Sequence, residues 1–375
     1  MNRIVFICRR YCPGEAWTNR LLAYARGFAE HGVKVCFLFI ITDNKRTPYN
    51  IDISGVEVIN LWENDGWLNK IHRGISYYFN RKKISDYILD GDYCFFTDGS
   101  GLYIEEVRKS NKNIRIIFES TEHPMILLKS KSKVDNFLKS LSFVDFIFVI
   151  SRSLCNYYCQ CGLPKSKIQV INMFVDTNRF DNLTKTTTQK YIAYCGNVSY
   201  QKDGVDILIQ AFARFKDKHP DYKLEIYGRS VRNSISDLSK LATELGIEDS
   251  VIFTGMLPST QIPSKLYNAS ILALSRPNNL QNQNGFPTKL GEYLMTGNPV
   301  VVTNVGEISH FIVDEHNGYL AMPDDIDSFA QKLDKAVKDL DSKKNVGVEG
   351  RKLALSEFSY FTQTGIALNF ILKNE

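Results

Sequence analysis

Short apolar runs alternating with amphipathic ones constrain this chain more than any other feature. RIVFIC (Arg3–Cys8) reads as a strand, WTNRLLAYARGFAEHG (17–32) as a helix closed by a glycine, and VKVCFLFI (33–40) as a strand again. That order is a βαβ unit. YCFFT (93–97), IRIIFES (114–120) and DFIFVIS (145–151) continue it. Strands that are apolar almost throughout, rather than at alternate positions, imply a parallel sheet covered on both faces.

The polar stretch DTNRFDNLTKTTTQK (176–190) has no periodicity and reads as a linker. Beyond it the alternation restarts with YIAYC (191–195), VDILIQAFARFKDKH (205–219), YKLEIYG (222–228), VIFTG (251–255) and ILAL (271–274). A chain of 375 residues is long enough for two cores. The expected fold is therefore α/β, two tandem Rossmann-like doubly wound parallel-sheet domains facing a cleft. Their expected bounds are 1–180 and 190–355, with a helix over 356–375 crossing back to the first domain. Such sheets bind ligands at the carboxyl ends of their strands, so the loops that follow strands are where chemistry is sought.

Composition excludes several classes. With 44% hydrophobic and 23% charged residues the chain is ordinary for a globular protein. No apolar run approaches the ~20 residues that span a bilayer. Met1 leads almost directly into RIVFIC without a secretory pattern, so a cytoplasmic location is expected. The eight cysteines are expected to be reduced there. CNYYCQC (155–161) has no His neighbour and no second Cys pair, and reads as buried thiols on a helix rather than a metal site. Residues 1–180 carry 25 Lys and Arg against 18 Asp and Glu, whereas the remainder has 21 against 23. The excess base suggests an anionic partner for the first half, but it is small and spread out, and nucleic acid is not expected.

Phosphate motifs narrow the chemistry further. The first βα turn has only Gly14, and DGSGLYIEEV has Gly99 and Gly101 without a third glycine, so a dinucleotide fingerprint is lacking. No P-loop is present, and Asp90-Gly-Asp92 reads as a solvated turn. In GNVSYQKDGVDILIQAF, Gly196 sits at a strand end and Lys202 just before an apolar helix, a small residue and a point charge suited to phosphate. In NGFPTKLGEYLMTGNPVVVT, Pro287 fixes a helix start. Thr288, Lys289 and Leu290 would then offer unpaired N–H groups at the positive end of the dipole. Glu292 lies one turn in, placed for a ribose hydroxyl pair. Together these describe a site for a nucleoside diphosphate.

With those residues in view, the chain resembles retaining glycosyltransferases of the GT-B fold, in the large family 4 group. The likeness is carried by TNRLLAYARGFAEHGVKV, FESTEHP, DFIFVISRSLCNYYCQCGLPKSKIQVINMFVDTNRF, GNVSYQKDGVDILIQAF and GFPTKLGEYLMTGNPVVVTNVGEISHFIVDEHNGYL. It implies a nucleotide-sugar donor held mainly by the second domain, a glycan or lipid-linked acceptor held by the first, and no bound metal or other cofactor. By the same resemblance Lys202 contacts the pyrophosphate, Thr288 and Leu290 give it backbone N–H groups, and Glu292 holds the ribose. Phe286, Pro287 and Lys289 share that donor loop, Gly14 approaches the donor phosphates or the acceptor, and Gly228 and Gly255 surround the base. His123 in TEHP would contact the transferring sugar. Where the family often has Arg, Asn197 follows Gly196. Where it typically has the first Glu of a Glu-x7-Glu pair, Asn284 stands eight residues before Glu292.

The implied catalytic set is His123, Lys202 and Asn284. Asn284 can hydrogen-bond sugar hydroxyls but supplies no negative charge. Either the carboxylate is dispensable here or binding persists without activity, and the intact surroundings favour the first. Leaving-group stabilisation by Lys202 and the helix start at Thr288 would dominate catalysis. WLNKIHRGISYYFNRKK (67–83) and Lys129, Lys131, Lys133 and Lys139 have two equal readings: contact with anionic membrane at its inner face, at ~1 kcal/mol per cation, or a core-facing amphipathic helix with a solvated rim. The rival readings are a sugar-nucleotide epimerase on the same fold and a catalytically weak binding partner.

Overall fold

The computed structural model describes residues 3–9, 11–41, 48–62, 83–110, 113–231 and 233–375. They form two compact units, 1–172 together with 360–375, and 173–359. The amphipathic stretch 67–82 lies outside the described residues.

The first unit is built on seven parallel strands in the order β3-β2-β1-β4-β5-β6-β7. These are β1 (Arg3–Cys8), β2 (Lys34–Ile41), β3 (Val56–Trp62), β4 (Asp92–Thr97), β5 (Arg115–Ser120), β6 (Phe146–Val149) and β7 (Ile168–Val170). Aromatic side chains fill the layer between sheet and helices. Phe6 stacks on Phe37 at 4.9 Å and meets Phe95 at 4.8 Å, while Tyr24 stacks on Phe28 at 5.6 Å. Asp92 corrects the reading of Asp90-Gly-Asp92 as a solvated turn. It is buried at the start of β4, 2.7 Å from the Arg3 guanidinium on the neighbouring strand.

The returning helix Tyr360–Lys373 packs against Ala16–Glu30. Gly27 permits this approach, since a Cβ there would lie 2.3 Å from Thr364 Oγ1. The Tyr360 hydroxyl donates to Glu30 at 2.9 Å, and Phe361 stacks on His31 at 4.0 Å.

The second unit has six parallel strands in the order β10-β9-β8-β11-β12-β13. They are β8 (Tyr191–Cys195), β9 (Lys223–Tyr227), β10 (Val251–Gly255), β11 (Ile271–Leu274), β12 (Val300–Thr303) and β13 (Tyr319–Ala321). This unit begins at Met173, ahead of the polar 176–190 stretch, and ends at Ser359. Val175 and Ser359 pair across its two chain ends, and the Val175 N–H donates to Phe358 at 2.8 Å.

Arg20 is engaged on several sides in the first unit. It is 5% exposed, its Nε and Nη2 lie 3.0 and 2.8 Å from Glu119 Oε1, and it also donates to the carbonyls of Ile171 and Asn172 at 3.0 Å. The Tyr24 hydroxyl donates to the same Glu119 oxygen at 2.6 Å. Arg20→Ala would leave Glu119 buried without its counter-charge. We expect a loss of about 3–5 kcal/mol, read from urea unfolding, with part recovered when Glu119 is also replaced by Leu.

Candidate active site

Glycines mark the ends of three adjacent strands of the second unit: Gly196 and Gly228 directly follow β8 and β9, and Gly255 is the last residue of β10. The Gly196 N–H donates to the Tyr227 carbonyl and the Gly228 N–H to the Gly255 carbonyl, both at 2.8 Å, which ties the loops after β8, β9 and β10 together. A Cβ on Gly228 would lie 1.7 Å from the Gly196 carbonyl oxygen. One on Gly196 would lie 2.0 Å from Lys289 Cε. Gly255, at φ +71°, has open space around it. The strand ends therefore present backbone, with the Lys289 stem lying across it.

Lys289 stands at the start of the helix Thr288–Met295. Its ammonium is 2.6 Å from Asp203 Oδ2, 3.1 Å from the Tyr194 hydroxyl and 4.9 Å from the centre of the Tyr194 ring. Burial lowers its pKa; Asp203 opposes this, and Arg276 and Lys202 add repulsion. Burial alone would raise the Asp203 carboxyl, but Lys289 and Arg276 hold it below the usual range. Arg276 is buried, with Nε 3.9 Å from Asp203 and 3.3 Å from the Lys202 carbonyl. Cations thus converge where the glycines have cleared the floor.

Several sequence-derived residues behave differently from expectation. The Leu290 N–H is not unpaired: it donates to the Pro287 carbonyl at 3.1 Å, because the first turn of the helix is tight. Pro287 is the N-cap residue rather than the first helical one. By geometry the N–H groups of Thr288 and Lys289 still precede the helical ladder. The Phe286 side chain is committed to packing, stacked on Phe311 at 5.4 Å and edge-on to Phe358 at 5.5 Å. Asn284 ends the short helix Leu280–Asn284, buried, and its Nδ2 donates to the Leu280 carbonyl at 2.9 Å.

Glu292 forms an ion pair with Arg179, whose Nη2 also donates to the Ser259 carbonyl at 3.1 Å. The reading of 176–190 as featureless linker is corrected here: Thr177–Phe180 forms a 3-10 turn capped by Asp176, and that turn aims Arg179. Sequence reasoning missed Arg179, Asp203 and Arg276. Only Asp176, a turn-capping residue type three positions before Arg179, hinted at the first. Asn197 holds a cation instead of being one: its Oδ1 accepts from Arg229 Nε at 3.0 Å.

Gly14, at φ +86°, and His123 belong to the first unit. His123 is buried and caps the helix Pro124–Leu128, Nδ1 accepting from the Met125 N–H at 3.2 Å. Its ring lies 4.3 Å from that of Tyr157. The reading of CNYYCQC as buried thiols holds for Cys155 alone, since Cys159 is half-buried and Cys161 exposed. Among the described residues no group of three or more His, Cys, Asp or Glu could hold a metal ion.

Burial lowers the His123 pKa, so the ring is neutral at pH 7 with the proton on Nε2. Because the folded-state pKa lies below the ordinary ~6.5, the cap contributes fully above that value and is lost as pH falls through the folded pKa. An NMR titration should show Nδ1 unprotonated at pH 7 and a midpoint below about 6.5. A midpoint above it would contradict the capping geometry.

Residues 175–353, just under half of the chain, match the family described as glycosyl transferases group 1. An uncharacterized glycosyltransferase of Methanocaldococcus jannaschii is 24% identical over 57% of this chain and 56% of its own length. A GDP-mannose-dependent alpha-(1-6)-phosphatidylinositol monomannoside mannosyltransferase of Mycolicibacterium smegmatis is 23% identical over 58% and 60%. The matched stretch thus spans little more than half of these relatives. Anabaena HepE, solved in complex with UDP, superposes over the whole of both chains with a TM-score of 0.74 at 16% identity. Sucrose-phosphate synthase of Thermosynechococcus elongatus does so over 100% and 99%, with a TM-score of 0.74 at 15% identity. The chain therefore has the GT-B fold, and its second unit carries the stretch that matches the group 1 glycosyl transferases.

Proposed function

We propose that this chain moves a sugar from a nucleotide-diphosphate sugar to a glycan or lipid-linked acceptor, with retention of anomeric configuration, in surface polysaccharide or glycoconjugate assembly. The observation that carries the reading is the set of cations around the glycine-cleared strand ends. Lys289, with its pKa depressed by burial and by neighbouring positive charge, gains if an anion enters. A pyrophosphate at the helix start would meet Lys289, Lys202 and the N–H groups of Thr288 and Lys289. No metal is then required to offset its charge. Arg229, held by Asn197, stands in for the Arg that the family resemblance places at position 197.

In the reaction the bond between the anomeric carbon and the diphosphate breaks as the acceptor oxygen bonds to that carbon on the same face. The acceptor proton passes to the departing phosphate. Glu292, steadied by Arg179, holds the ribose. Neutral His123 can donate from Nε2 to a sugar hydroxyl.

The acceptor class rests on the surface beside His123. Met125 and Leu127 are exposed on the helix it caps, and Lys129, Lys131, Lys133 and Lys139 are exposed just beyond. Apolar and basic groups in one place suit the face of an anionic membrane. No helix among the described residues is long and apolar enough to cross one. Two relatives point the same way by name: the phosphatidylinositol monomannoside mannosyltransferase and a putative colanic acid biosynthesis glycosyltransferase of Escherichia coli.

Thermal shifts with UDP-, GDP-, ADP- and CDP-sugars test the donor. One nucleotide class should raise the melting temperature, since ligand at 100 times its Kd adds about 2.7 kcal/mol. Glu292→Ala should abolish most of the shift, and Arg179→Met should weaken binding by about 1–2 kcal/mol through the carboxylate it positions. Folded wild-type protein that responds to none of the four would sink the proposal. A donor split into free sugar and nucleotide, with no transfer to a lipid extract, would favour the epimerase.

A further inference from the structure

The thiols of CNYYCQC take no part in the site described above. The helix Arg152–Gln160 carries Cys155 and Cys159, with Cys161 just past its end. Cys155 is 2% exposed, yet Lys165 Nζ lies 2.7 Å from its sulfur. Lys165 itself is exposed, on the 3-10 turn Lys165–Lys167 that leads into β7. Among the described residues no carboxylate pairs with it, so the thiol is its recorded partner.

Two features make this approach more than a passing contact. The separation is that of an ordinary hydrogen bond to oxygen. Sulfur is the larger atom, so the nitrogen sits closer than a thiol acceptor normally allows, and within the span set by one bridging oxygen. The backbone also fixes the meeting. The Leu163 N–H donates to the Tyr158 carbonyl at 3.1 Å, Gly162 turns the chain at φ +89°, and the Lys167 N–H donates to Pro164 at 3.0 Å. Groups held this way react as if at very high local concentration.

We propose that Cys155 and Lys165 form a reversible oxidative cross-link in which one oxygen atom joins the sulfur to the side-chain nitrogen. The oxidant is dioxygen. Written for the neutral groups, R–SH and R–NH2 combine with one O2 to give S–O–NH and one water. Sulfur and nitrogen each lose two electrons, and dioxygen takes up four. One of its atoms becomes the bridge. The other leaves as water with the thiol proton and one amine proton. A dithiol reductant reverses the change, restoring thiol and amine and releasing the bridging oxygen as water.

The link would fasten the end of the helix to the turn before β7. Tyr157, on the same helix, packs its ring against His123, so the cross-link would steady the packing behind that residue.

Intact-mass analysis of the full chain purified in air, against the chain purified anaerobically, tests this. The aerobic chain should be heavier by about 14 Da, and by about 2 Da more under 18O-labelled dioxygen. Digestion should place the gain on a joined pair of peptides holding Cys155 and Lys165, and dithiothreitol should remove it. Lys165→Arg, an exposed change that leaves the buried thiol in place, should abolish the gain, whereas Cys159→Ser should retain it. Sulfenic or higher oxygen adducts on cysteine alone would overturn the proposal. So would a disulfide to Cys159, about 2 Da lighter, or an aerobic chain with no mass change.

Discussion

Every recorded strand pair in both sheets is parallel, and the arrangement of functional groups depends on that constraint. A parallel sheet sends all its carboxyl ends to one edge, so loops far apart in sequence become neighbours. Gly196, Gly228 and Gly255 mark the ends of three adjacent strands, and their backbones bond to one another across that edge. The same rule puts His123 in the loop after β5 of the first unit, capping a short helix instead of pointing into bulk water. With both sheet faces covered, the loop edge is what remains open.

On that edge in the second unit, steric and electrostatic demands support one another. Glycine at 196 is needed because the Lys289 stem crosses it, and glycine at 228 because the Gly196 carbonyl does. Lys289 stays in place because Asp203, itself buried, accepts its proton-bearing nitrogen while Tyr194 offers both hydroxyl and ring face. A buried ammonium so held costs less than an isolated one, but it is not fully compensated, since Arg276 and Lys202 push its pKa down further. The lowered Lys289 pKa is a property of the folded edge, and no single residue type announces it.

That difference explains what the sequence made legible. Strand and helix periodicity depends on local burial, and β1, β4, β5, β8, β9 and β10 lie where the apolar runs place them. Glycine and lysine positions near strand ends were readable because parallel sheets restrict where ligands bind. Partners across long sequence separation were not. Asp203 looks like an ordinary residue before a glycine, and its role depends on Lys289, 86 residues later. Arg179 sits in a polar stretch without periodicity, and only the turn Thr177–Phe180 brings it to Glu292. Phe286 misled in the opposite direction: its place in a phosphate-type loop suggested ligand contact, while two other phenylalanines claim its ring. Asp92 misled likewise, since nothing local foretells that Arg3 waits on the adjacent strand.

Asn197 shows why a missing residue type need not mean a missing charge. A guanidinium reaches several ångströms from its Cα, so the same charge can be delivered from either of two neighbouring loops. Here the backbone bond from the Val198 N–H to the Arg229 carbonyl, 2.9 Å long, brings the β8 and β9 loops together. Asn197 then needs only an acceptor to orient the cation, and an amide oxygen supplies one without adding charge. A carboxylate there would hold Arg229 more strongly but would neutralise it. Asparagine is therefore the partner that orients Arg229 and leaves its charge available, on the loop beside the position where the sequence resemblance leads one to expect an Arg.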